Sequence, residues 1–297
     1  MATAKNPKLP KAKLSGDFKD FLTTGKNNTR VLGALEHYIV NKPEESDRRT
    51  DVLHPSEMVK ADWCHRSSYF QLLGETPPKS KYAKSMRMSM VFANGHAIHE
   101  RYQTIFKDMG TLWGKYKCLE CDQFFAGLPS EHDAKIPSSG YEYREVSLNY
   151  APLKIAGHAD GLLVGFGEPL MLEIKSIGPG TFRFEDPSTF YENDGHLDKM
   201  WKTLSAPFQS HVAQVQVYMR LAELLELPYI PQEAVLIYEN KGSQETKEFI
   251  VPKSNFSIGH VFEAAAMISK AVDNKTPPPC NIGGSKMCKK CEGYQNV

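Results

Sequence analysis

Residues 157–176 read GHADGLLVGFGEPLMLEIKS. Two apolar runs flank a centre at Phe166 and Gly167, and glycines at 165 and 167 supply the freedom a tight reversal needs, so the segment predicts a β-hairpin. In that hairpin Asp160 lies opposite Glu173. Directly opposed residues hold their Cβ atoms about 5 Å apart on one face of a sheet, so the two carboxylates could share a divalent cation through oxygen. Lys175 shares the face of Glu173, and Ile174 points into the opposite layer. Two acids and one amine thus converge, a set suited to metal-assisted phosphodiester cleavage. The acids hold Mg²⁺ or Mn²⁺, the metal acidifies a bound water, and the ammonium orients that water or stabilises charge in the transition state. A solvated Glu–Lys pair on a surface hairpin is the alternative for the same three residues.

The flanking sequence extends the pattern. GTLWGKYK, YEYREVSLNYA, LKIAGHADGLLVGF and PLMLEIKSI read as short strands with antiparallel neighbours, and AVLIYEN and TKEFIVP as two more. Helical patterns are predicted from Ser56 to about Leu73, over 85–109, over 207–227 and over 254–274, with one or two further helices between Asp17 and Val40. The result is an α/β chain with a mixed central sheet flanked by helices. Its regions are a basic arm and helical segment (1–54), a helical region (55–110), a core (111–252) with an insertion near 116–140, and a C-terminal helix with a cysteine-rich tail (253–297).

Composition narrows the class. The 297 residues are 41% hydrophobic and 24% charged, with 36 Lys and Arg against 35 Asp and Glu, a formal charge of +1. The balance is that of a folded globular chain, and any polyanion-binding surface must be local. Candidates are the lysines before Leu14, then Lys286, Lys289 and Lys290, and Arg66, Arg87 and Arg101. No run spans a bilayer and no apolar leader follows the first lysines, so a soluble, cytoplasmic protein with no membrane partner is expected. The P-loop, nucleophile-elbow, HExxH and zinc-deaminase patterns do not occur, which removes the usual sequence support for those chemistries.

Further motifs accompany the hairpin: G95-x-x-x-H99-E100 upstream, and H211-x-x-Q214-x-x-x-Y218 on the following helix. With G-H-A-D160-G and E173-I-K175 they resemble, in order, the RecB-like branch of the PD-(D/E)XK nuclease superfamily, including phage-type members. The resemblance implies a restriction-endonuclease-like core and a metal-dependent DNA exonuclease acting on single-stranded ends, in recombination, repair, phage DNA processing or CRISPR adaptation. It implies His99, Asp160, Glu173 and the Ile174 carbonyl as ligands of Mg²⁺ or Mn²⁺, Lys175 as the group that orients the attacking water, and Gln214 and Tyr218 as contacts to the strand. Glu145 and His211 are secondary candidates. A helicase or recombination partner would supply unwinding, and oligomeric state is left open. The alternative is a non-catalytic DNA-binding or assembly factor with a structural metal cluster.

Six cysteines are too few for a disulfide scaffold in a chain this long, and their close spacing points to metal. Cys64, in SEMVKADWCHRSSYF, resembles the N-terminal cysteine of the iron–sulfur members of that group, the four-cysteine CRISPR-associated exonucleases and the AddAB nuclease subunit. The resemblance implies that Cys64, Cys280, Cys288 and Cys291 hold a [4Fe–4S] cluster joining the two ends of the domain, with Zn²⁺ as the alternative. The order C280-x7-C288-x2-C291 departs from the group, where the CxxC comes first. Cys118 and Cys121 form half of a zinc ribbon, with Glu131, His132 and Asp133 the nearby substitutes for its missing ligands; the pair could otherwise join the C-terminal cysteines or stay unliganded.

Overall fold

The computed structural model describes residues 31–42, 49–75, 85–134, 136–254, 257–283 and 288–294. Helices α1 (Leu32–Asn41), α2 (Pro55–Met58), α3 (His65–Leu72) and α4 (Met86–Asp108) come first. The chain divides into two units, residues 1–46 with 82–91, and residues 47–81 with 92–297. The first contains α1, none of whose residues is buried, and the start of α4, which from Phe92 onward belongs to the second. The expected helical stretch before Val31, the lysine-rich arm and Lys286 lie outside the described residues.

In the second unit the strands are β1 (Leu112–Cys118), β2 (Phe124–Gly127), β3 (Tyr141–Tyr143), β4 (Val146–Tyr150), β5 (Ile155–Ala159), β6 (Gly161–Leu163), β7 (Leu170–Ile177), β8 (Glu233–Asn240) and β9 (Thr246–Pro252). Seven of them form one mixed sheet in the order β2-β1-β6-β7-β8-β9, with β3 also on β1, while β4 and β5 pair separately. The hairpin register places Gly161 opposite Leu172 and Leu163 opposite Leu170. Gly165 and Gly167 both take φ of 93°, a conformation side chains resist.

β7 and β8 run parallel, Leu170 beside Glu233 through Ile177 beside Asn240. A parallel pair needs a crossover, and the chain makes it through α5 (Pro179–Glu185), α6 (Pro187–Glu192), α7 (Leu197–Thr203) and α8 (Gln209–Leu224). Helices α9 (Gly259–Asp273) and α10 (Lys289–Glu292) follow β9. No helix among the described residues is long and apolar enough to cross a membrane.

The two faces of the sheet carry separate cores. Met171, Ile177, Leu236 and Tyr238 pack with Val215, Val217, Met219 and Leu221 of α8. Leu172, Ile174, Val235 and Ile237 pack with Ile98, Tyr102 and Phe106 of α4. The alternation of β7 thus sends Ile174 to the α4 layer, with Glu173 and Lys175 on the α8 side. At Gly161 the packing is tight: a Cβ there would stand 2.4 Å from Leu112 Cδ1, itself fully buried. Gly161→Ala is expected to cost about 1–3 kcal/mol through overpacking, read as a lowered urea midpoint at unchanged m-value.

The continuous helix expected from Ser56 to Leu73 is two helices. Pro55 starts α2, and the chain turns before Cys64, whose extended backbone (φ −97°, ψ 110°) precedes α3. Cys64 Sγ accepts the Ser67 N–H at 3.4 Å and so caps α3, and its thiol meets the tail cysteines. A helix through residue 64 would forfeit that position. The other three expected helices form with slightly shorter bounds.

Candidate active site

The site grows from the end of the β6–β7 pairing. Beyond Gly161 and Leu172, β6 no longer covers β7, and the Asp160 carboxylate takes over: its Oδ2 accepts the Ile174 N–H at 2.6 Å. In a strand the N–H and C=O of one residue point to the same edge, so the Ile174 carbonyl is aimed at the edge that Asp160 occupies. Asp160 Oδ1 lies 3.1 Å from His99 Nδ1. The Asp160 backbone carbonyl is held as well, by Gln103 Nε2 at 3.1 Å and the Tyr143 hydroxyl at 2.9 Å.

On the α8 side, Lys175 Nζ sits 2.5 Å from Glu173 Oε1 and donates to Gln214 Oε1 at 3.1 Å. Gln214 Nε2 donates to Glu173 Oε1 at 3.0 Å and to the Tyr218 hydroxyl at 2.9 Å. Gln214 and Tyr218, four residues apart on α8, are therefore one buried network with the acid and the lysine. Gln214 spends its amide on Lys175, Glu173 and Tyr218.

Burial sets the electrostatics. Glu173 is 3% exposed. Its pKa is raised from the ordinary 4.5 to about 7, first by burial, with Lys175 opposing and Asp160 adding to the rise. Burial pulls His99 down, but its hydrogen bond to Asp160 and the charges of Asp160 and Glu173 outweigh it and lift the imidazole above its usual value. Burial likewise opposes the charge on Lys175, and the adjacent Glu173 restores it, leaving the ammonium pKa above 10.5.

Glu173 and His99 make the ion-free fold pH-dependent in one direction. A raised acid contributes stability in full below its unfolded pKa of 4.5 and loses it as pH rises through about 7. The raised histidine loses its contribution as pH climbs through its folded pKa. Without added divalent cation, Tm is expected to fall by about 3–6 °C between about pH 6 and about pH 8.5, and Glu173→Gln to flatten the slope.

Two buried carboxylates and a histidine, donor types that a hard divalent cation takes, lie near one another: the charges of Asp160 and His99 both act on Glu173, whose own charge burial disfavours. The set is more open than the two groups of cysteines, whose ligand atoms close to within 4.8 Å of one another. Glu145 stands behind it. Its backbone is left-handed (φ 48°), its carboxyl is 3.4 Å from Gln103 Nε2, and burial, then the Asp160 charge, raise its pKa.

His211 is not brought to the carboxylates. The Tyr238 hydroxyl, which accepts the Phe208 N–H, is 2.5 Å from His211 Nδ1, and burial with the Lys175 charge pushes the ring down to about 3. Gln103 and Tyr143 were not singled out in the sequence. Only the first left a signal there, lying one helical turn beyond His99.

Several cations expected to face phosphate are engaged elsewhere. Arg101 pairs with the buried Glu239. Arg66 donates to the Pro278 carbonyl at 3.2 Å and lies over the Phe70 ring, and Lys290 pairs with Asp62 at 2.8 Å.

The cysteines sort into two groups. Cys64, Cys280, Cys288 and Cys291 form one, able to bind a metal; Cys118, Cys121 and His132 form the other, separate from the C-terminal cysteines. In the second, Cys121 Sγ is 3.8 Å from His132 Nε2, while His132 Nδ1 accepts the Ala134 N–H at 3.1 Å. The half-ribbon thus gains His132 as a third group that could serve a metal.

No family model and no curated protein sequence matches the chain. Solved structures give distant matches. The alkaline exonuclease LHK-Exo of Laribacter hongkongensis is 11% identical with a TM-score of 0.40, over 76% of this chain and 90% of that one. Its complex with dAMP is 12% identical with the same score and coverage. The structure of SSO0001 is 11% identical with a TM-score of 0.37, over 84% of this chain and 89% of that one. The functional reading rests on the site's own residues.

Proposed function

We propose that the chain is a metal-dependent DNA nuclease of the RecB-like PD-(D/E)XK type, a single-strand exonuclease. The observation that carries the reading is the Lys175–Glu173 pair on β7 beside Asp160, which sits on the Ile174 N–H and His99 and whose charge acts on both members of the pair. His99, Asp160, Glu173 and the Ile174 carbonyl would hold Mg²⁺ or Mn²⁺, which when bound supplies Lewis-acid polarisation of the phosphate and a more acidic water.

The chain's own groups do the rest. Lys175 holds a water by hydrogen bond and places a positive charge beside the reacting phosphate. Glu173 and Gln214 fix that ammonium, and Tyr218 fixes Gln214, so the two α8 residues are positioning residues. Asp160 is kept in place by four contacts, to Ile174, His99, Gln103 and Tyr143. DNA ends in recombination, repair, phage DNA processing or CRISPR adaptation are the substrates in view, with a helicase or recombination protein as partner.

The test is an assay of end-labelled linear and circular single-stranded DNA with Mn²⁺, Mg²⁺ or chelator, with Glu173→Ala beside the parent. Metal-dependent loss of the linear strand by the parent alone is expected, and an intact circle marks the need for an end. If both proteins bind DNA and neither cuts it under any metal, the site is not catalytic.

A further inference from the structure

Several cations expected to face phosphate are engaged elsewhere, so a surface for the substrate strand has to come from other residues. The register of the sheet supplies one. Trp113 lies opposite Leu162, and Leu162 opposite Met171, so the three share a row and a face, the one packed against α8. Side chains alternate along a strand. Lys115 and Lys117 therefore stand on that same face of β1, as Glu173 and Lys175 do on β7. Lys117 is paired in turn with Phe124 of β2, and Lys115 with Ala126. β2 begins the strand order, so the face runs from the Phe124 ring at the edge, past two lysines, toward the acid and lysine of the candidate site. Three strand spacings, about 14 Å, separate β2 from β7.

The Phe124 side chain is displayed there, 55% exposed. The Lys115 ammonium stands 5.0 Å from its ring centroid and that of Lys117 5.9 Å. Lys117 also pairs with Asp122 at 2.6 Å, whereas Lys115 has no acidic partner among the described residues. Beside the ring opens a cavity of about 320 Å³, lined by Trp113, Lys115, Phe124, Ala126, Glu145 and Ser147. Its Glu145 end lies close enough to Asp160 for the Asp160 charge to act on the Glu145 carboxyl.

An exposed flat ring beside uncompensated positive charge matches a single strand of nucleic acid: a base of any kind stacks on the ring, and phosphates follow the ammonium groups. A duplex offers no such base without unstacking and unpairing it. We propose that Phe124, with Lys115 and Lys117, is a stacking platform on which single-stranded DNA lays one base a few nucleotides from the bond that is cut. The platform deepens the nuclease reading and rests on it for the polymer that is bound.

Fluorescence anisotropy of the full chain with labelled oligothymidylate, in chelator so that nothing is cut, tests the platform. Phe124→Ala is expected to weaken binding about 5–100-fold, and Phe124→Trp to keep the parent's affinity. Parent and Phe124→Ala should bind alike to a strand of abasic sites and to blunt duplex DNA. Lys115→Ala should reduce the salt slope of binding by about 0.7, and Phe124→Ala should leave that slope unchanged. Because the ring is exposed, both Phe124 variants should keep Tm within about 2 °C of the parent. Equal affinities of parent and Phe124→Ala for oligothymidylate would overturn the platform, as would an equal loss on abasic DNA or a parent that binds no single strand. Cleavage by the parent with Mn²⁺ is read separately: a chain that binds through Phe124 and never cuts supports the platform and removes the nuclease reading.

Discussion

Replacing Lys175 by methionine is expected to slow metal-dependent cleavage of linear single-stranded DNA by about 10²–10³-fold while the protein stays folded. The ammonium lies within hydrogen-bond reach of Glu173, and Gln214 fixes its position. Methionine keeps most of the stem and removes the charge. Ordinarily, deleting one partner of a buried ion pair costs about 3–5 kcal/mol, because the other charge is stranded. Glu173 escapes most of that cost: its pKa already stands at about 7, and loss of Lys175 pushes it further up, so the carboxyl takes a proton. Single-turnover rates, with circular dichroism and Tm beside them, separate chemistry from folding. A variant within about fivefold of the parent would remove Lys175 from the proposed chemistry.

If the four-cysteine group holds a metal, Cys291→Ala is expected to release it and to lower Tm by about 10 °C or more. Cys291 is fully buried, in contact with Cys64 and Cys280. A structural ion bound by folded protein alone contributes several kcal/mol to folding, and in a chain of this size about 1 kcal/mol moves Tm by about 2–4 °C. The exposed Cys121 is the contrast: Cys121→Ala should shift Tm by less than about 2 °C, the range of an ordinary surface change. Differential scanning calorimetry with metal analysis reads both variants. An unchanged Tm in Cys291→Ala would show that packing alone joins the tail to α3.

The hairpin was legible because two glycines and two apolar runs leave one register that buries both strands, but the pairing ends at Gly161 and Leu172, so the expected Asp160–Glu173 pair is not formed and Asp160 holds the Ile174 N–H instead. The parallel step from β7 to β8 was not, since its cause is the crossover and nothing within either strand marks direction. The break before α3 was hidden for another reason. Helical periodicity runs through residues 56–73, and what overrides it is the demand that Cys64 meet cysteines more than two hundred positions away. The resemblance implies that Gln214 and Tyr218 contact the strand, and a polar pair four residues apart carries no mark of the groups it also touches inside the fold. The buried Glu173 and half-buried Lys175 decide where Gln214 points. The Gln103 and Tyr143 contacts to the Asp160 carbonyl left little trace, because they hold a backbone atom, which any residue presents.

The cysteine site also has a consequence for how the protein is made. Synthesis runs from the N-terminus, so every strand of the sheet, through Pro252, has left the ribosome before the first tail cysteine at 280 appears. Cys64 waits for partners 216 or more positions downstream. A metal held by all four cysteines would therefore report that translation has passed Cys291 and that the tail has docked on α3.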